Sequence, residues 1–266
     1  VLDCAANGKP FIISWYGNLP EISTAMGIVH YNPISDIFFH LGPTNYADAR
    51  EMDKVPIDSK ICTLNRFGIY AMTKNLMPRP TAIVAMSEPC DALLLSHQVW
   101  EEVGLGRDVP MYMIDPSYGH EEEDFRYVAR QLKEIIGFYE RGCGAKYDFE
   151  KLKAVVDETN VQYALWAECQ ETMKASPAPM PSFAMQDAYW YLMQHLLPCG
   201  DKRITALMRG VLAMCKANVE KKVGPVMDEQ IRIFWPDLDP IWDNELAAWL
   251  ADEWNAVVAQ SFTGLT

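Results

Sequence analysis

Thr81-Ala82-Ile83-Val84-Ala85-Met86-Ser87-Glu88-Pro89-Cys90-Asp91 is the stretch of sequence from which the fold is predicted. Its first six residues form a continuous apolar run of strand length, and Ser87-Glu88-Pro89 ends that run. The pattern of residues 91–100 is helical. Cys90 is therefore predicted to lie where a buried strand is followed by a helix.

A second cysteine, Cys62, lies about one strand-helix unit earlier in a similar context. Residues 57–61 form a short apolar approach to it, and a stretch of helical character follows, so we expect both cysteines at strand-to-helix junctions. Ligands bind at the carboxyl ends of parallel strands, and a helix N-terminus favours a thiolate over a thiol. The two cysteines are therefore candidate ligands of a soft metal or an iron-sulfur cluster. Alternatively, both are small buried apolar side chains.

Strands and helices alternate over the first part of the chain. Residues 10–15 and 28–31 are predicted strands on either side of a short helix over residues 21–27, and residues 109–115 form a further strand. This alternation predicts an α/β fold, with a doubly wound parallel-sheet lobe over residues 1–118.

Two further segments are predicted after residue 118. Residues 119–228 form a helical connecting segment, in which helices over residues 182–197 and 201–221 follow two longer ones. Residues 229–266 form the start of a second, incomplete doubly wound lobe, with a buried strand over residues 230–235. One strand-helix-strand unit cannot cover both faces of a sheet. We therefore expect the chain to be a piece of a longer polypeptide.

The composition argues against several classes of protein. Hydrophobic residues make up 50% of the 266 residues and charged residues 22%, which is typical of a globular protein. The 36 acidic and 23 basic residues give a net charge of −13, which repels phosphate backbones, so no nucleic acid partner is expected. No apolar run reaches membrane-spanning length and the first residues do not resemble a secretion signal, so we expect a cytoplasmic protein without membrane association.

Seven cysteines without regular spacing argue against a secreted disulfide framework. No glycine-rich nucleotide-binding signature, HExxH or GxSxG is present. The five histidines show no ligand spacing, and His97 is expected to pack or to cap. Glu21 begins the helix after the first strand and is a candidate for proton transfer at the same crevice as the cysteines. Alternatively, Glu21 is a first-turn acid that complements the helix dipole.

Short motifs along the whole chain resemble those of the 2-hydroxyacyl-CoA dehydratase and benzoyl-CoA reductase family. The matching motifs are Gly8-Lys9, Leu19-Pro20-Glu21, Ala25-Met26-Gly27, Cys62-Thr63-Leu64-Asn65-Arg66, Cys90-Asp91, Asp115-Pro116 and Ile231-Arg232-Ile233-Phe234-Trp235. Their order and spacing, more than any one of them, carry the resemblance. One departure is Ser14-Trp15, where many members of the family carry a cysteine.

The resemblance implies two doubly wound lobes that hold a [4Fe-4S] cluster between them on three cysteines. Cys62 and Cys90 match the two ligands of the first lobe, and the third ligand is expected from a part of the second lobe that this sequence lacks. Glu21 matches the Pro-Glu motif and is implied to assist proton transfer. The implied partners are a homologous subunit and an ATP-dependent iron-sulfur activator protein that delivers single electrons.

The implied activity is radical elimination of water from a 2-hydroxyacyl-CoA, through a ketyl radical anion of the thioester carbonyl. An alternative within the family is an ATP-dependent benzoyl-CoA-type reductase, in which the electron enters the ring of an aryl-CoA. A third hypothesis is a non-catalytic partner subunit that supplies an interface and part of a CoA site. An open iron would act as a Lewis acid in either of the first two cases.

Overall fold

Helices and strands alternate through the first half of the chain. The computed structural model describes residues 1–14, 19–32, 51–55, 57–88, 90–102, 107–180, 197–236 and 245–261. The elements of the described residues are, in order, α1 (Leu2–Ala6), β1 (Phe11–Ser14), α2 (Pro20–Ala25), β2 (Val29–Tyr31), α3 (Thr63–Thr73), β3 (Ala82–Met86), α4 (Asp91–Glu102), β4 (Met111–Ile114), α5 (Glu122–Cys143), α6 (Phe149–Thr172), α7 (Lys202–Lys221), β5 (Ile231–Trp235), α8 (Leu246–Trp254) and β6 (Ala256–Ser261). The helix predicted over residues 182–197 falls almost wholly outside the described residues.

Strands β1 to β4 form one parallel sheet in the order β2-β1-β3-β4. Strand β1 is buried along its whole length and β3 along most of it, and the two pair at the centre with Ile13 opposite Ile83. Their apolar composition suits central strands that are covered on both faces. The chain runs outward from β1 to β2 and then returns to β3 on the other side of β1. The strand order therefore reverses between β1 and β3, which is where such sheets bind ligands at the carboxyl ends of the strands.

Helices cover both faces of this sheet because alternate strand residues point to opposite sides. Phe11 and Ile13 pack in one cluster with residues of α3 and α4, among them Ile69. Ile12 packs in a second cluster with residues of α2 and α5, among them Ile135. The predicted doubly wound parallel-sheet lobe is thus confirmed.

The approach to Cys62 differs from the prediction of a strand. Residues 57–62 form turns and bends, in which the Asp58 carboxylate accepts a hydrogen bond from Lys60 N at 2.9 Å. The Asp58 carbonyl accepts another from Ile61 N at 3.1 Å. An aspartate that bonds the backbone two residues later favours a turn over a strand. Cys62 therefore follows a turn, and it shares only the helix start with Cys90.

Helix α5 begins with an acidic turn. Glu121 and Asp124 form a reciprocal capping box, with Glu121 N donating to the Asp124 carboxylate at 2.9 Å. The helix ends at Gly144, whose φ of 65° is the left-handed conformation that glycine adopts without steric cost. Ile135 and Tyr139 of this helix pack on the sheet with Ile114.

The chain divides into two compact units, Val1–Leu152 and Lys153–Thr266. In the second unit, α6 and α7 share a buried cluster that contains Trp166, Cys169, Met208 and Cys215. Strands β5 and β6 form a separate parallel pair. The division at residues 118 and 228 stays a prediction.

Strand β5 was predicted to be buried, and the structure corrects this. Its residues are exposed or only half-buried, and Phe234 exposes 56% of its surface. Strand β6 is the better covered of the two, with Val257 in the core of the unit. An apolar sequence predicts a strand but cannot specify whether a neighbouring element covers it.

None of the helices in the described ranges has the length and apolar character that crossing a membrane requires.

Candidate functional site

Cys62 occupies the N-cap position of helix α3. Its carbonyl oxygen accepts a hydrogen bond from Arg66 N at 3.0 Å, and its side chain is exposed and makes no capping hydrogen bond. The thiol is thus accessible at the end of the helix where the macrodipole favours negative charge. The structure leaves this side chain available for a ligand.

Cys90 lies directly before helix α4 and is half-buried. Its carbonyl oxygen accepts hydrogen bonds from Leu93 N at 2.9 Å and Leu94 N at 3.3 Å, which begin the helix. Residues 87 and 88 extend from strand β3 toward it, so the predicted succession of strand, breaker, cysteine and helix is present.

Asn65 connects the two helix starts. It lies in the first turn of α3, three residues after Cys62, and its Nδ2 donates a hydrogen bond to Cys90 Sγ at 3.8 Å. Because three residues are less than one helical turn, Cys62 lies within one turn of the residue that contacts the Cys90 sulfur. The structure therefore brings the helix start that carries Cys62 against Cys90.

Two groups around this contact are buried and polar. Ser96 Oγ lies 3.1 Å from Asn65 Oδ1 and 2.8 Å from the Ala92 carbonyl oxygen. Arg66 is buried, and its Nη2 forms a 2.7 Å ion pair with the exposed carboxylate of Asp53. Asn65 and Arg66 belong to the Cys62-Thr63-Leu64-Asn65-Arg66 motif, but the motif predicts no role for either. Ser96 lies thirty-one residues from Asn65, and no local pattern signals their contact.

Glu21 lies in the first turn of α2, directly after Pro20, and is half-buried. Helix α2 follows β1 and packs on the opposite sheet face from α3 and α4. Since β1 and β3 are neighbours, Glu21 and Cys90 follow the carboxyl ends of adjacent strands. Their roles in catalysis and ligand binding stay predictions.

Ser14 lies at the carboxyl end of β1, and its hydroxyl contacts His30 Nε2 of β2. The two side chains share a sheet face because His30 is in register with Ile12, two residues before Ser14. Burial lowers the pKa of His30 to about 4, so the ring is neutral at neutral pH. This contact lies at the end of β1, where Ser14 departs from the motifs of the family that the sequence resembles.

His97 is buried one turn beyond Leu93 in α4. Its Nδ1 donates to the Leu93 carbonyl oxygen at 2.7 Å, and its ring contacts the Trp100 ring edge-on at 4.9 Å between centroids. Burial lowers the pKa of His97 to about 4, although the Leu93 carbonyl acts in the other direction. Nε2 has no hydrogen-bond partner in the described part of the chain.

The described residues contain no group of three or more His, Cys, Asp or Glu side chains that could hold a metal ion. The two thiols at the starts of α3 and α4 fit two ligands of an iron-sulfur cluster in chemistry, since thiolates hold such clusters. They also fit in environment, because Cys90 receives an N-H donor, the kind of contact that tunes a ligating sulfur.

A parallel α/β sheet with thiols at two adjoining helix starts defines the class as an α/β protein with a candidate thiolate site. The sequence matches the family described as 2-hydroxyglutaryl-CoA dehydratase, D-component, over residues 19–265. The chain belongs to this family. The family assignment made from the short motifs is therefore confirmed.

Two curated relatives match parts of the chain. The lactoyl-CoA dehydratase subunit alpha of Anaerotignum propionicum is 28% identical over 111 residues, which cover 40% of this chain and 26% of the relative. The (R)-2-hydroxyisocaproyl-CoA dehydratase alpha subunit of Clostridioides difficile is 24% identical over 149 residues, which cover 54% of this chain and 35% of the relative. The matches thus span between a quarter and about a third of the length of these relatives.

Proposed function

We propose that this chain is the iron-sulfur subunit of a radical 2-hydroxyacyl-CoA dehydratase. Membership of the D-component family and similarity to two proteins named as dehydratase alpha subunits support the reaction class. In this proposal Cys62 and Cys90 provide two ligands of a [4Fe-4S] cluster. A third ligand is proposed to come from a residue outside this sequence.

The observation that carries the proposal is the contact between Asn65 Nδ2 and Cys90 Sγ. It joins the start of α3, which carries Cys62, to the start of α4. In the proposal, the two thiols at these neighbouring helix starts bind the iron as thiolates.

When bound, the cluster would supply one electron to the thioester and an open iron that acts as a Lewis acid. The chain's own residues would then hold and protonate the substrate. Glu21 is proposed to deliver the proton with which the hydroxyl group leaves as water. Its place after β1, next to the strand that precedes Cys90, supports this role.

The proposed partners are a homologous subunit and an ATP-dependent iron-sulfur activator. The first is supported by the word "subunit" in the names of both relatives. The second follows from the proposed chemistry, because a single-electron mechanism needs a low-potential donor.

The cluster proposal is tested with Cys62→Ala, Cys90→Ala and the matched control Cys143→Ala. Cys143 is half-buried at the end of α5, and burial raises the pKa of its thiol, so it is a poor metal ligand. After anaerobic purification, we expect the two site variants to lose iron, acid-labile sulfide and the brown visible absorption. The control should retain all three. Iron contents equal to wild type in both site variants would refute the proposal.

The reaction is tested by supplying the activated complex with a 2-hydroxyacyl-CoA and, separately, an aryl-CoA. Formation of the unsaturated acyl-CoA without net reduction is expected. Reduction of the aromatic ring would instead support the benzoyl-CoA-type reductase. A wild-type subunit that contains no iron, within a complex that remains active, would indicate a non-catalytic partner subunit.

A further inference from the structure

The amide of Asn65 is held in one orientation by two buried contacts. Its Nδ2 faces Cys90 Sγ at 3.8 Å, and its Oδ1 faces Ser96 Oγ at 3.1 Å. Asn65 is 2% exposed and Ser96 is fully buried, so water has little access to replace either contact. A buried amide needs partners for both of its ends.

The structure gives the amide a definite orientation. The single proton of the Ser96 hydroxyl is shared between two acceptors, Asn65 Oδ1 at 3.1 Å and the Ala92 carbonyl oxygen at 2.8 Å. The amide oxygen faces Ser96, and the amide nitrogen faces the sulfur. Sulfur of a thiolate is an acceptor, so the pairing is complementary in the metal-binding form of Cys90.

Neither helix propensity nor burial favours an asparagine at position 65. Residues Asn65 to Met72 of α3 are all buried, and asparagine is a poor helix former. A leucine or alanine would favour the helix and the core more. The side-chain partners of Asn65 lie outside α3, and they are the Cys90 sulfur and the Ser96 hydroxyl.

We propose that Asn65, oriented by Ser96, is a positioning residue that donates a hydrogen bond to the Cys90 thiolate and so sets the metal affinity and reduction potential of the bound cluster. The part that concerns the cluster rests on the proposed function above. Hydrogen bonds to ionised acceptors are stronger than neutral ones. Hydrogen bonds to ligating sulfurs withdraw electron density and raise the reduction potential of iron-sulfur clusters.

The test compares Asn65→Asp, Asn65→Ala and Ser96→Ala with the control Thr73→Ala. Aspartate keeps the size of the side chain and an acceptor for Ser96 but presents a carboxylate oxygen to the sulfur. Thr73 lies at the far end of the same helix, where its Oγ1 donates to the Ile69 carbonyl at 2.8 Å. Circular dichroism and thermal melting check that each variant folds.

In the anaerobically reconstituted protein, Asn65→Ala should weaken iron retention against a chelator by about 10- to 100-fold, as is typical when a partner of a metal ligand is removed. The reduction potential should become more negative, further in Asn65→Asp and less in Ser96→Ala. Thr73→Ala should match wild type. Folded Asn65 variants with the potential and iron retention of wild type would overturn the inference while leaving cluster binding intact.

A second readout needs no cluster. Iodoacetamide reacts with thiolates, so in the Cys62→Ala background Asn65→Asp should slow alkylation of Cys90 by about 10-fold. If wild type binds no iron but alkylation slows in this way, the hydrogen bond to the thiolate stands and the proposed function fails. An alkylation rate equal to that of the background would overturn the inference by itself.

Discussion

Asn65 of α3 and His97 of α4 are both buried polar residues, but they differ in their hydrogen-bond partners. Both lie on helices that pack on the same sheet face, and both are at most 2% exposed. Asn65 has partners at both ends of its amide, one of them the Cys90 sulfur. Within the described ranges, the hydrogen bond of His97 goes to the Leu93 carbonyl of its own helix, and its ring contacts Trp100 of the same helix. The ring therefore affects stability through packing and through its charge state.

The charge state of His97 predicts a pH dependence of stability. Burial lowers its folded-state pKa to about 4, whereas an unfolded histidine has a pKa near 6.5. Between these values the unfolded chain binds more protons, so the free energy of unfolding rises with pH. The contribution is present above pH 6.5 and is lost as the pH falls to 4, by about 3 kcal/mol in total.

Urea unfolding between pH 7.5 and 4.5 measures this slope. His97→Phe should reduce it, and the exposed His120→Phe should leave it unchanged. The lowered pKa of His30 adds a slope of the same sign, so a residual dependence is expected in His97→Phe. A slope identical in wild type and His97→Phe would contradict the assignment.

Among the secondary-structure elements, helix α7 starts two residues after a glycine with a left-handed backbone conformation. Gly200 has a φ of 73°, and a β-carbon there would lie 2.9 Å from the Val155 carbonyl oxygen of α6. The next residue, Asp201, caps α7 by accepting a hydrogen bond from Arg203 N at 2.8 Å. The turn therefore lets α7 begin close to the backbone of α6.

Gly200→Ala and Gly210→Ala should change stability in opposite directions. Gly210 lies within α7 and is exposed, and a β-carbon there meets no atom within 4 Å. Alanine at position 210 should raise the free energy of unfolding by about 1 kcal/mol, because glycine is a poor helix former. Alanine at position 200 should lower the free energy of unfolding by at least about 1 kcal/mol. The left-handed conformation is unfavourable for alanine, and its β-carbon would lie too close to the Val155 carbonyl oxygen. Urea unfolding of both variants measures the signs, and equal signs would contradict this reading of the turn.

The starts and ends of helices could be predicted closely from local sequence. The conformation of residues 57–61, which precede Cys62, could not be predicted in this way. The acids in the first turn of α5 and the apolar spacing along it are local signals of a helix, and the structure has a helix there. Residues 57–61 are also apolar in part, but Asp58 bonds to the following backbone and produces a turn. Short apolar runs are ambiguous because side-chain hydrogen bonds decide between turn and strand.

For the whole molecule, the two sheets differ in how well they are covered. Strands β1 and β3 are central and buried, whereas β5 is exposed or half-buried along its length. Protection against hydrogen exchange follows burial and cooperative packing. The two sheets should therefore differ in local stability.

Hydrogen exchange followed by mass spectrometry tests this difference. Amides of β1 and β3 should exchange slowest, those of β5 fastest among the described strands, and those of β6 at intermediate rates. The order follows from burial, since β6 is covered on more of its length than β5. Protection of β5 equal to that of β1 would show that another part of the protein, or another chain, covers it.

The sequence alone determined the alternation of strands and helices, the place of Cys90 after a strand and the family to which the chain belongs. These properties depend on local periodicity, on turn residues and on short motifs in a set order. Only the tertiary structure decided that Cys62 follows a turn, that β5 is exposed or half-buried, and that Asn65 lies between Ser96 and the Cys90 sulfur. Contacts between residues far apart in the chain depend on how helices pack on the sheet, and local sequence patterns carry little information about that packing.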